Sequence, residues 1–586
     1  MKTSKTPRLP YGNADFLRLR TGNFIYVDKT RFIELLEEED NQSQIFIRPR
    51  RFGKSLFLST LKYYYDVNYK NDFEQLFGDL YIGQNPTTLR NNYVVMEFNF
   101  SGIDTSNAET FRNSFAESIR RTAWRFIENH NNIFANTKSV VAQMKTHLYS
   151  ALESIDLALG FAVSAKVKIF VIIDEYDHFA NDIIAMGSVF GEDFYKSMIT
   201  ANGLVRDFYE KLKSETDSGT IYKTFITGIS PVMLDDLTSG FNIATNYSLE
   251  SRYNEMLGFT RKEVDEVMNA VGIETNQIDI DMEYYYNGYK FNGEAENTIY
   301  NSTMVLYFFG QILKNGKLLK DLIDPNLSID PKRLKRLVRN ESNRDILIQI
   351  IKDGGIVSKI VERFSINKLD SDSHLISQLF YIGLLTIKEA HLNGLRLTIP
   401  NYSIERIYWE QLRQLVEDNS QLVKMNTELV ENSINDLAFE GNVHNFVDYV
   451  SQNAFSKLSA YDLQRFDEKY IKVLLLAYLL LNDIYIPMSE FEAVPGFVDI
   501  FLQRNPKYPQ VKYEWALELK YCKTSAAPSE IEQKRKTGLE QLNKYVNSPR
   551  LKNRTNLKSA LIIFIGKDKY EIIETGSAAS GNVNQL

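Results

Sequence analysis

A short apolar stretch followed by Gly-Lys-Ser is the feature that most constrains the fold of this chain. Ile45-Phe-Ile reads as a buried strand, Gly53-Lys54-Ser55 follows it, and Leu56–Tyr65 reads as an amphipathic helix. In a phosphate-binding loop, glycine allows close backbone approach, lysine contacts the β- and γ-phosphates, and serine binds Mg²⁺. The order of strand, loop and helix therefore predicts a nucleotide site that uses ATP and Mg²⁺.

The entrance of this loop departs from the general pattern, which has glycine five positions before Gly53. Arg48 stands there instead, and Arg50 and Arg51 follow. These arginines either add positive charge beside the phosphates or lie as solvated side chains against an acidic surface. We assign the nucleotide-binding set to the run Arg50, Arg51, Phe52, Gly53, Lys54 and Ser55.

A second motif strengthens the nucleotide prediction. The apolar stretch Val167–Ile173 ends in Asp174-Glu175. Here Asp174 is expected to bind the Mg²⁺ together with Ser55, and Glu175 to orient or deprotonate the attacking water. The alternative is a buried strand that ends at an acidic, solvated turn. A further predicted strand ends in Thr227-Gly-Ile-Ser230, and either hydroxyl is a candidate sensor of the γ-phosphate.

The length of 586 residues predicts three or four domains, because a single hydrophobic core does not grow to that size. The N-terminal part alternates predicted strands with helices, which is typical of a parallel sheet covered by helices. Its predicted strands are Gln44–Ile47, Tyr93–Phe98, Lys168–Ile173 and Ile221–Ile226. We therefore expect an α/β multidomain protein that begins with a parallel-sheet ATPase.

Three further regions follow. A helical lid begins with the capping pair Thr260 and Glu263. Next, a helix and two strands joined by Asn393-Gly394 resemble a winged helix, which serves as a linker or, less often, as a nucleic-acid reader. An αβββαβ order ends the chain. The predicted domains are residues 1–256 (ATPase), 257–345 (lid), 346–442 (winged-helix-like) and 443–586 (C-terminal α/β domain).

Several motifs in the first half of the chain resemble a bacterial family described as predicted AAA-ATPase-like proteins. In that family an arginine-rich loop replaces the first glycine, so Arg48 follows the family pattern. Members resemble signal-transducing ATPases and commonly end in a PD-(D/E)XK nuclease domain. The motifs are Leu9-Pro-Tyr-Gly, Tyr26-Val-Asp-Lys-Thr30, Arg48-Pro-Arg-Arg-Phe-Gly-Lys-Ser55, Asp174-Glu-Tyr-Asp177, Thr227-Gly-Ile-Ser230, Leu257-Gly-Phe-Thr260 and Tyr286-Asn-Gly-Tyr-Lys-Phe291.

The C-terminal segment carries residues that resemble the successive PD-(D/E)XK motifs: Asp499, then Glu518-Leu-Lys520, then Gln541 and Tyr545. Alternate strand residues share a face, so Glu518 and Lys520 project together. Asp499 and Glu518 are expected to bind Mg²⁺, and Lys520 to position the attacking water or stabilise developing charge.

Accessory residues complete this predicted site. Glu490 or Glu492 is a candidate for a further metal ligand, and Gln541 and Tyr545, four residues apart on a helix, share one face. The family pattern Gly-Arg-x-Asp is here Gly496-Phe-Val-Asp499, so the arginine is lost and the metal ligand is kept. Taken alone, Glu518 and Lys520 are also typical of a solvated, ion-paired strand face.

The charge distribution favours local rather than global contact with nucleic acid. The net charge is -7, whereas Val511–Ala560 has eleven Lys or Arg against five Asp or Glu. A nucleic-acid partner, DNA rather than RNA, is therefore expected at the C-terminal domain. A single cysteine, Cys522, and the lack of an apolar leader or a ~20-residue apolar run predict a cytoplasmic protein without membrane insertion.

The leading hypothesis from the sequence is a Mg²⁺-dependent nuclease whose activity is gated or positioned by an ATPase, in defence or in the processing of mobile DNA. The main alternative is a nucleotide-switched signalling or binding protein whose nuclease fold does not cleave. A third hypothesis is ATP binding without hydrolysis, against which Lys54, Ser55, Asp174 and Glu175 predict slow turnover. Assembly into a homo-oligomer is left open.

Overall fold

The computed structural model separates into two compact units. One comprises residues 1–317, 321–347 and 355–401, and the other comprises residues 318–320, 348–354 and 402–586. The structure describes residues 6–186, 194, 203–233, 244–278, 280–315, 323–324, 341–363, 371–419, 427–458, 466–567 and 569–575. Within these units the four domain boundaries expected from the sequence stay a prediction.

The described elements are numbered in chain order. The helices are α1 (Phe16–Thr21), α2 (Arg31–Glu37), α3 (Lys54–Tyr65), α4 (Phe73–Phe77), α5 (Tyr81–Gln84), α6 (Ala108–Asn129), α7 (Thr137–Lys145), α8 (Ala151–Ser164), α9 (His178–Met186), α10 (Leu204–Asp217), α11 (Arg261–Ala270), α12 (Met282–Tyr286), α13 (Ser302–Asn315), α14 (Glu341–Asp353), α15 (Asp372–Tyr381), α16 (Tyr402–Asn419), α17 (Thr427–Asn435), α18 (His444–Asn453), α19 (Glu468–Leu479) and α20 (Pro528–Val546). The strands are β1 (Ser43–Ile47), β2 (Tyr93–Asn99), β3 (Lys168–Asp174), β4 (Ile221–Gly228), β5 (Ala244–Asn246), β6 (Gly355–Ser358), β7 (Thr386–His391), β8 (Gly394–Thr398), β9 (Tyr485–Glu492), β10 (Phe497–Arg504), β11 (Glu514–Cys522), β12 (Leu557–Ile565) and β13 (Lys569–Thr575).

A five-stranded parallel sheet forms the centre of the first unit, with the order β2-β3-β4-β1-β5. Strands β1 and β3 are almost wholly buried, because helices cover both faces of a sheet of this kind. The four strands predicted from apolar runs are confirmed, each within two residues at either end. The carboxyl ends of β1, β3 and β4 meet at one edge of the sheet, where the loop and the acidic motif lie.

The helices after β5 begin as the sequence predicts. Thr260 and Glu263 form a reciprocal capping box at the start of α11, which confirms the capping pair. Farther on, β6, which precedes α15, joins β8 and β7, which follow it, in a three-stranded antiparallel sheet of order β6-β8-β7. The hairpin turn lies one residue earlier than predicted: Leu392 and Asn393 form it, while Gly394 already pairs with His391.

A mixed five-stranded sheet forms the second unit, with the order β13-β12-β11-β10-β9. Strand β11 is parallel to β12 and antiparallel to β10, and α20 packs against β11 and β12. The predicted αβββαβ order was incomplete, because β13 adds an antiparallel edge strand after β12. The apolar helix α19 has 12 residues, and no helix in the described ranges combines the length and apolar character that a membrane crossing needs.

The loop before Tyr289 requires a glycine. Gly288 has φ +99°, and a β-carbon there would lie 1.9 Å from the carbonyl oxygen of Pro400. We predict that Gly288→Ala lowers the free energy of unfolding by more than the roughly 1–2 kcal/mol of a left-handed alanine alone, and lowers the thermal midpoint accordingly. The measurement is calorimetry beside Gly272→Ala, because Gly272 has φ +73° and open space around it. Equal midpoints for the two variants would contradict the steric argument.

Candidate functional site

The loop between β1 and α3 places an ammonium, a hydroxyl and a helix N-terminus at one edge of the parallel sheet. Gly53 adopts φ +94° and precedes the first turn of α3, a conformation that favours glycine. Lys54 is buried, and its Nζ donates to the carbonyl oxygens of Arg48 and Pro49 at 2.9 Å each. Burial lowers the pKa of Lys54 to about 8 against the attraction of Asp174. An anion in this loop would favour the charged form of the lysine.

Asp174 is the centre of a small polar cluster at the end of β3. Its Oδ2 accepts a 2.7 Å hydrogen bond from Ser55 Oγ, and its Oδ1 accepts a 2.8 Å bond from Thr227 Oγ1. The cluster brings together three residues that the sequence assigned to the nucleotide and Mg²⁺. Hydroxyl and carboxylate oxygens are the donors that Mg²⁺ prefers, so Ser55 and Asp174 fit the ion.

The structure distinguishes the two hydroxyls predicted as γ-phosphate sensors, those of Thr227 and Ser230. Thr227 contacts Asp174, whereas the backbone N–H and Oγ of Ser230 both donate to the buried carboxylate of Asp177, at 2.7 Å and 3.0 Å. Asp177 also accepts from the backbone N–H of Ile229. Ser230 therefore fixes the chain after β4, and Thr227 is the hydroxyl beside the acidic motif.

Glu175 lies in a strained conformation next to this cluster. Its φ is +52°, which is uncommon for a residue with a β-carbon and is often found at functional sites. The carboxylate is half-buried, and burial raises its pKa above the usual range. His178, which the sequence analysis missed, lies between two carboxylates: Nδ1 is 3.3 Å from Glu175 Oε2 and Nε2 is 3.4 Å from Asp182 Oδ2. In the sequence, the signal that could have identified His178 is its position in the first turn of a helix that follows Asp174-Glu175.

A cavity of about 450 Å³ opens on the loop. Its polar end is lined by Lys54, Ser55 and Glu175, and its apolar wall includes Leu257 and Val267. Arg50, Arg51, Phe52 and Gly53 also line it. The volume and the division into a polar and an apolar part are those of a small-molecule site.

The first arginine of the loop does not face this cavity. Arg48 is 0% exposed, and its guanidinium donates to the carbonyl oxygens of Ile47, Ser248 and Tyr253. It also lies 4.0 Å above the ring of Phe291. Both roles left open for Arg48 are therefore wrong: it neither lies beside the phosphates nor on an acidic surface. It connects the end of β1 to the segments that follow β5.

The second and third arginines and Phe52 have distinct surroundings. Arg51 adopts φ +70°, and its Nη1 lies 3.5 Å from Asp324 Oδ2, so its charge is already paired at the cavity wall. The buried ring of Phe52 packs edge-on against Tyr289, with centroids 4.9 Å apart. Arg50 lines the cavity. Of Arg50 and Arg51, Arg50 is the one whose guanidinium has no carboxylate partner among the described residues.

A second cluster lies in the other unit, where β10 and β11 are neighbours. Asp499 Oδ2 accepts a 2.9 Å hydrogen bond from the backbone N–H of Leu519, which ties the first acidic residue to β11. Lys520 Nζ donates to Glu518 Oε1 at 2.8 Å and to the carbonyl oxygen of Leu519 at 2.9 Å. The structure therefore brings Asp499, Glu518 and Lys520 together, as the sequence pattern indicated.

Glu518 carries a buried oxygen that the fold leaves without a partner. The residue is 2% exposed, and its Oε2 has no hydrogen-bond partner in the described part of the chain. Burial, and then repulsion from Asp499, raises the pKa of Glu518 to about 7, although Lys520 opposes the shift. An orphaned carboxylate oxygen beside a second carboxylate fits a divalent cation, so Asp499 and Glu518 would hold Mg²⁺.

Glu490 and Glu492, either of which was predicted to complete the metal shell, are each paired with a cation, and Glu490 and Lys472 both act on the charge of Asp499. Glu490 Oε1 lies 2.6 Å from Lys472 Nζ, and Glu492 Oε2 lies 3.0 Å from Arg550 Nη1. Within the described ranges, no three His, Cys, Asp or Glu side chains are grouped closely enough to hold a metal ion. The described carboxylates of the candidate metal site are therefore those of Asp499 and Glu518.

Glu468, the first residue of α19, is an acidic neighbour that the sequence analysis missed. Its Oε2 accepts from the backbone N–H of Tyr521 at 3.2 Å, and its Oε1 lies 3.8 Å from Lys520 Nζ. Burial raises its pKa, and Lys520 opposes the shift. Lys520 thus lies between two glutamates. In the sequence, the position of Glu468 at the start of a predicted apolar helix was the only local signal for this residue.

The accessory pair on α20 lies beside this cluster. Gln541 Oε1 is buried without a hydrogen-bond partner among the described residues. Tyr545 is 8% exposed, and burial raises its pKa, with a smaller contribution from Glu518. Its ring contacts Gly496, where an added β-carbon would lie 2.4 Å from it. Tyr545 therefore presents its hydroxyl near the carboxylates, and Gln541 lies one turn earlier on the same face of α20.

Two family models match separate parts of the chain. Residues 10–238 match the family described as Predicted AAA-ATPase, and residues 466–574 match the PD-(D/E)XK nuclease superfamily. A curated relative from Azotobacter chroococcum mcd 1, described as an uncharacterized protein in the vnfD 5' region, is 28% identical over 306 residues. That alignment covers 52% of each chain, so the match spans about half the length of this relative.

Solved structures with distant similarity include a Walker-type ATPase of Pyrococcus abyssi. It is 12% identical with a TM-score of 0.38, and the match covers 69% of this chain and 99% of that one. The ORC2 protein of Aeropyrum pernix is 11% identical with a TM-score of 0.33, covering 68% and 98%. The ORC1 protein of the same organism, solved in complex with DNA, is 10% identical with a TM-score of 0.25, covering 66% and 93%.

If Asp499 and Glu518 hold a divalent ion, that ion should stabilise the folded chain. We predict that Mg²⁺ at ten times its dissociation constant raises the free energy of unfolding by roughly 1.4 kcal/mol. Glu518→Gln should abolish this gain, because an amide replaces the orphaned carboxylate. The measurement is thermal unfolding with and without Mg²⁺, beside Glu540→Gln, which changes an exposed glutamate of α20. An unchanged Mg²⁺ effect in Glu518→Gln would contradict the assignment.

Proposed function

The chain combines a predicted AAA-ATPase domain with a PD-(D/E)XK nuclease superfamily domain, and from this combination we propose that it is an ATP-hydrolysing protein with a Mg²⁺-dependent nuclease activity. DNA is the favoured substrate over RNA, and ATP binding and hydrolysis gate or position the cleavage. Defence against foreign nucleic acid or the processing of mobile DNA is the setting that this combination suits. The observation that carries the proposal is the orphaned carboxylate oxygen of Glu518 beside Asp499 and Lys520.

In the proposed nuclease reaction, Asp499 and Glu518 hold the divalent ion and keep it next to the phosphodiester. A bound Mg²⁺ supplies Lewis-acid chemistry to the phosphate oxygens. Lys520, restrained by Glu518 and the carbonyl of Leu519, keeps its ammonium where it orients the attacking water or stabilises developing negative charge. Glu468 restrains the same ammonium from the other side.

In the proposed ATPase reaction, Lys54 leaves the two loop carbonyls and binds the β- and γ-phosphates. Ser55 and Asp174 hold the Mg²⁺, and Glu175 orients or deprotonates the attacking water. His178 positions Glu175, because one of its ring nitrogens faces that carboxylate and the other faces Asp182.

One observation supports the alternative of a binding module that does not cleave. Glu490 and Glu492, the glutamates expected to complete the metal shell, are each paired with a cation, Lys472 and Arg550. The remaining carboxylates hold an ion less strongly than a fuller shell would, and a nucleotide-switched recognition protein would not need one.

A cleavage assay distinguishes the nuclease from a binding module that does not cleave. We predict that the purified full chain degrades labelled DNA in Mg²⁺, and that Lys520→Ala lowers the rate at least about 100-fold, because the site loses its charge-stabilising ammonium. The measurement is gel analysis of single-stranded, double-stranded and RNA substrates with and without ATP. Lys523→Ala is the control, since Lys523 is exposed just beyond the end of β11. Equal products from wild type and Lys520→Ala would remove the nuclease assignment.

ATP binding and ATP hydrolysis should respond to different residues. We predict that Lys54→Ala weakens ATP binding at least about tenfold, and that Glu175→Gln keeps ATP binding while lowering phosphate release roughly 100-fold or more. The measurements are equilibrium binding of a fluorescent ATP analogue and steady-state phosphate release. Lys62→Ala, on the same helix as Lys54 but paired with Glu97, is the control. Phosphate release unchanged by Glu175→Gln would oppose the assigned role.

A further inference from the structure

The hairpin that joins β9 to β10 exposes an aromatic ring. Phe497 is 55% exposed and Val494 is 56% exposed. Nine large hydrophobic side chains are exposed in the described part of the chain, two of them lie on this hairpin, and Phe497 is the one phenylalanine among them. Holding an aromatic side chain in water forfeits burial energy, so such a patch commonly marks a surface that contacts a partner.

The exposed ring stands next to the candidate nuclease site. Phe497 is the first residue of β10 and Asp499 is the third, so their Cα atoms are roughly 7 Å apart in an extended strand. A strand whose phosphate lies at Asp499 therefore has the neighbouring base within reach of Phe497.

The hairpin holds this ring in a fixed place. Tyr545 packs so closely on Gly496 that an added β-carbon would lie 2.4 Å from its ring. On the neighbouring strand, Glu492 pairs with Phe497 in register and is tied to Arg550 at 3.0 Å. Arg550 is itself 57% exposed, and its charge is paired with Glu492, the residue opposite Phe497. An exposed aromatic ring on a packed hairpin suits a nucleotide, which offers a flat base.

On these grounds we infer that Phe497 stacks on an unpaired nucleobase beside the scissile phosphate, so that the C-terminal domain selects single-stranded or locally opened nucleic acid. The inference rests on the proposed nuclease function. In a duplex, the base faces are covered by neighbouring base pairs and offer no surface to the ring. A single strand leaves those faces free, and stacking on an aromatic side chain contributes about 1–3 kcal/mol per base.

The test is equilibrium binding of the full chain to a fluorescent 20-nucleotide single strand and to its duplex. Ca²⁺ replaces Mg²⁺, and a denaturing gel checks that the strands stay intact. Phe497→Ala should weaken single-strand binding roughly 5- to 150-fold and duplex binding less than about twofold. Phe497→Trp should restore single-strand binding. The dependence of affinity on salt should not change, because the ring neutralises no phosphate.

Leu148→Ala is the matched control, since Leu148 is an exposed apolar side chain of the other compact unit and should leave both affinities unchanged. Single-strand affinity that Phe497→Ala changes less than about twofold, or equal weakening of single strand and duplex, would overturn the inference. A changed sedimentation coefficient with unchanged affinity would instead identify a contact between protein chains, and would also overturn it.

Different results would contradict the stacking of Phe497 and the proposed nuclease function. A wild-type chain that cleaves DNA in Mg²⁺ but binds single strands independently of residue 497 overturns the stacking and leaves the nuclease function in place. A wild-type chain that neither binds nor cleaves any nucleic acid removes the proposed function together with the stacking.

Discussion

The parallel register of β1, β3 and β4 is the constraint on which the candidate nucleotide site depends. Because parallel strands end at the same edge, residues that are distant in sequence meet there. Ser55 contacts Asp174 across 119 positions, and Thr227 contacts it across 53. The second unit uses a different arrangement, in which neighbouring antiparallel strands bring Asp499 to Glu518. In both units strands of the sheet carry the acidic residues: Asp174 ends β3, and Asp499 and Glu518 lie within β10 and β11.

Arg48 is a fully buried cation at the end of β1. Arg48 has backbone carbonyls and an aromatic ring as partners in place of a carboxylate, and burial lowers its pKa to about 9. Such a cation stays buried only where several acceptors surround it. Its carbonyl partners belong to β1 and to the segment after β5, so it fixes the base of the loop that carries Lys54. The arginine that departs from the general motif therefore acts on the shape of the loop.

Local pattern predicted a large part of the fold and of both sites. Strands β1 to β4 and the capping box of α11 follow from apolar runs and a capping pair. The set Asp499, Glu518 and Lys520 follows from the resemblance to the PD-(D/E)XK motifs. What failed depends on tertiary packing. Arg48 reads as a surface or phosphate arginine until its carbonyl partners are known. Glu490 stays a predicted metal ligand, but its ion pair with Lys472, which lies 18 positions earlier, was not predicted from the sequence.

His178 and Glu468 were missed for a related reason. Each stands in the first turn of a helix, where an acidic or polar residue has an ordinary role at the helix terminus. His178 contacts Glu175 and Asp182 at spacings of three and four residues, so helical spacing was a local signal for it. Only the packing of α19 on β11 shows that Glu468 faces Lys520. A single sequence does not distinguish a residue that serves its own helix from one that serves a neighbouring site.

The perturbed groups in the two sites point to ligands of opposite charge. Burial lowers the pKa of Lys54 to about 8 and raises that of Glu518 to about 7, so each is shifted toward its neutral form. A phosphate beside Lys54 and a cation beside Glu518 would each reverse the shift, because they favour the charged form. A purely structural ion pair would instead satisfy both groups within the fold. The Oε2 atom of Glu518 has no hydrogen-bond partner among the described residues, so the fold does not satisfy this carboxylate by itself.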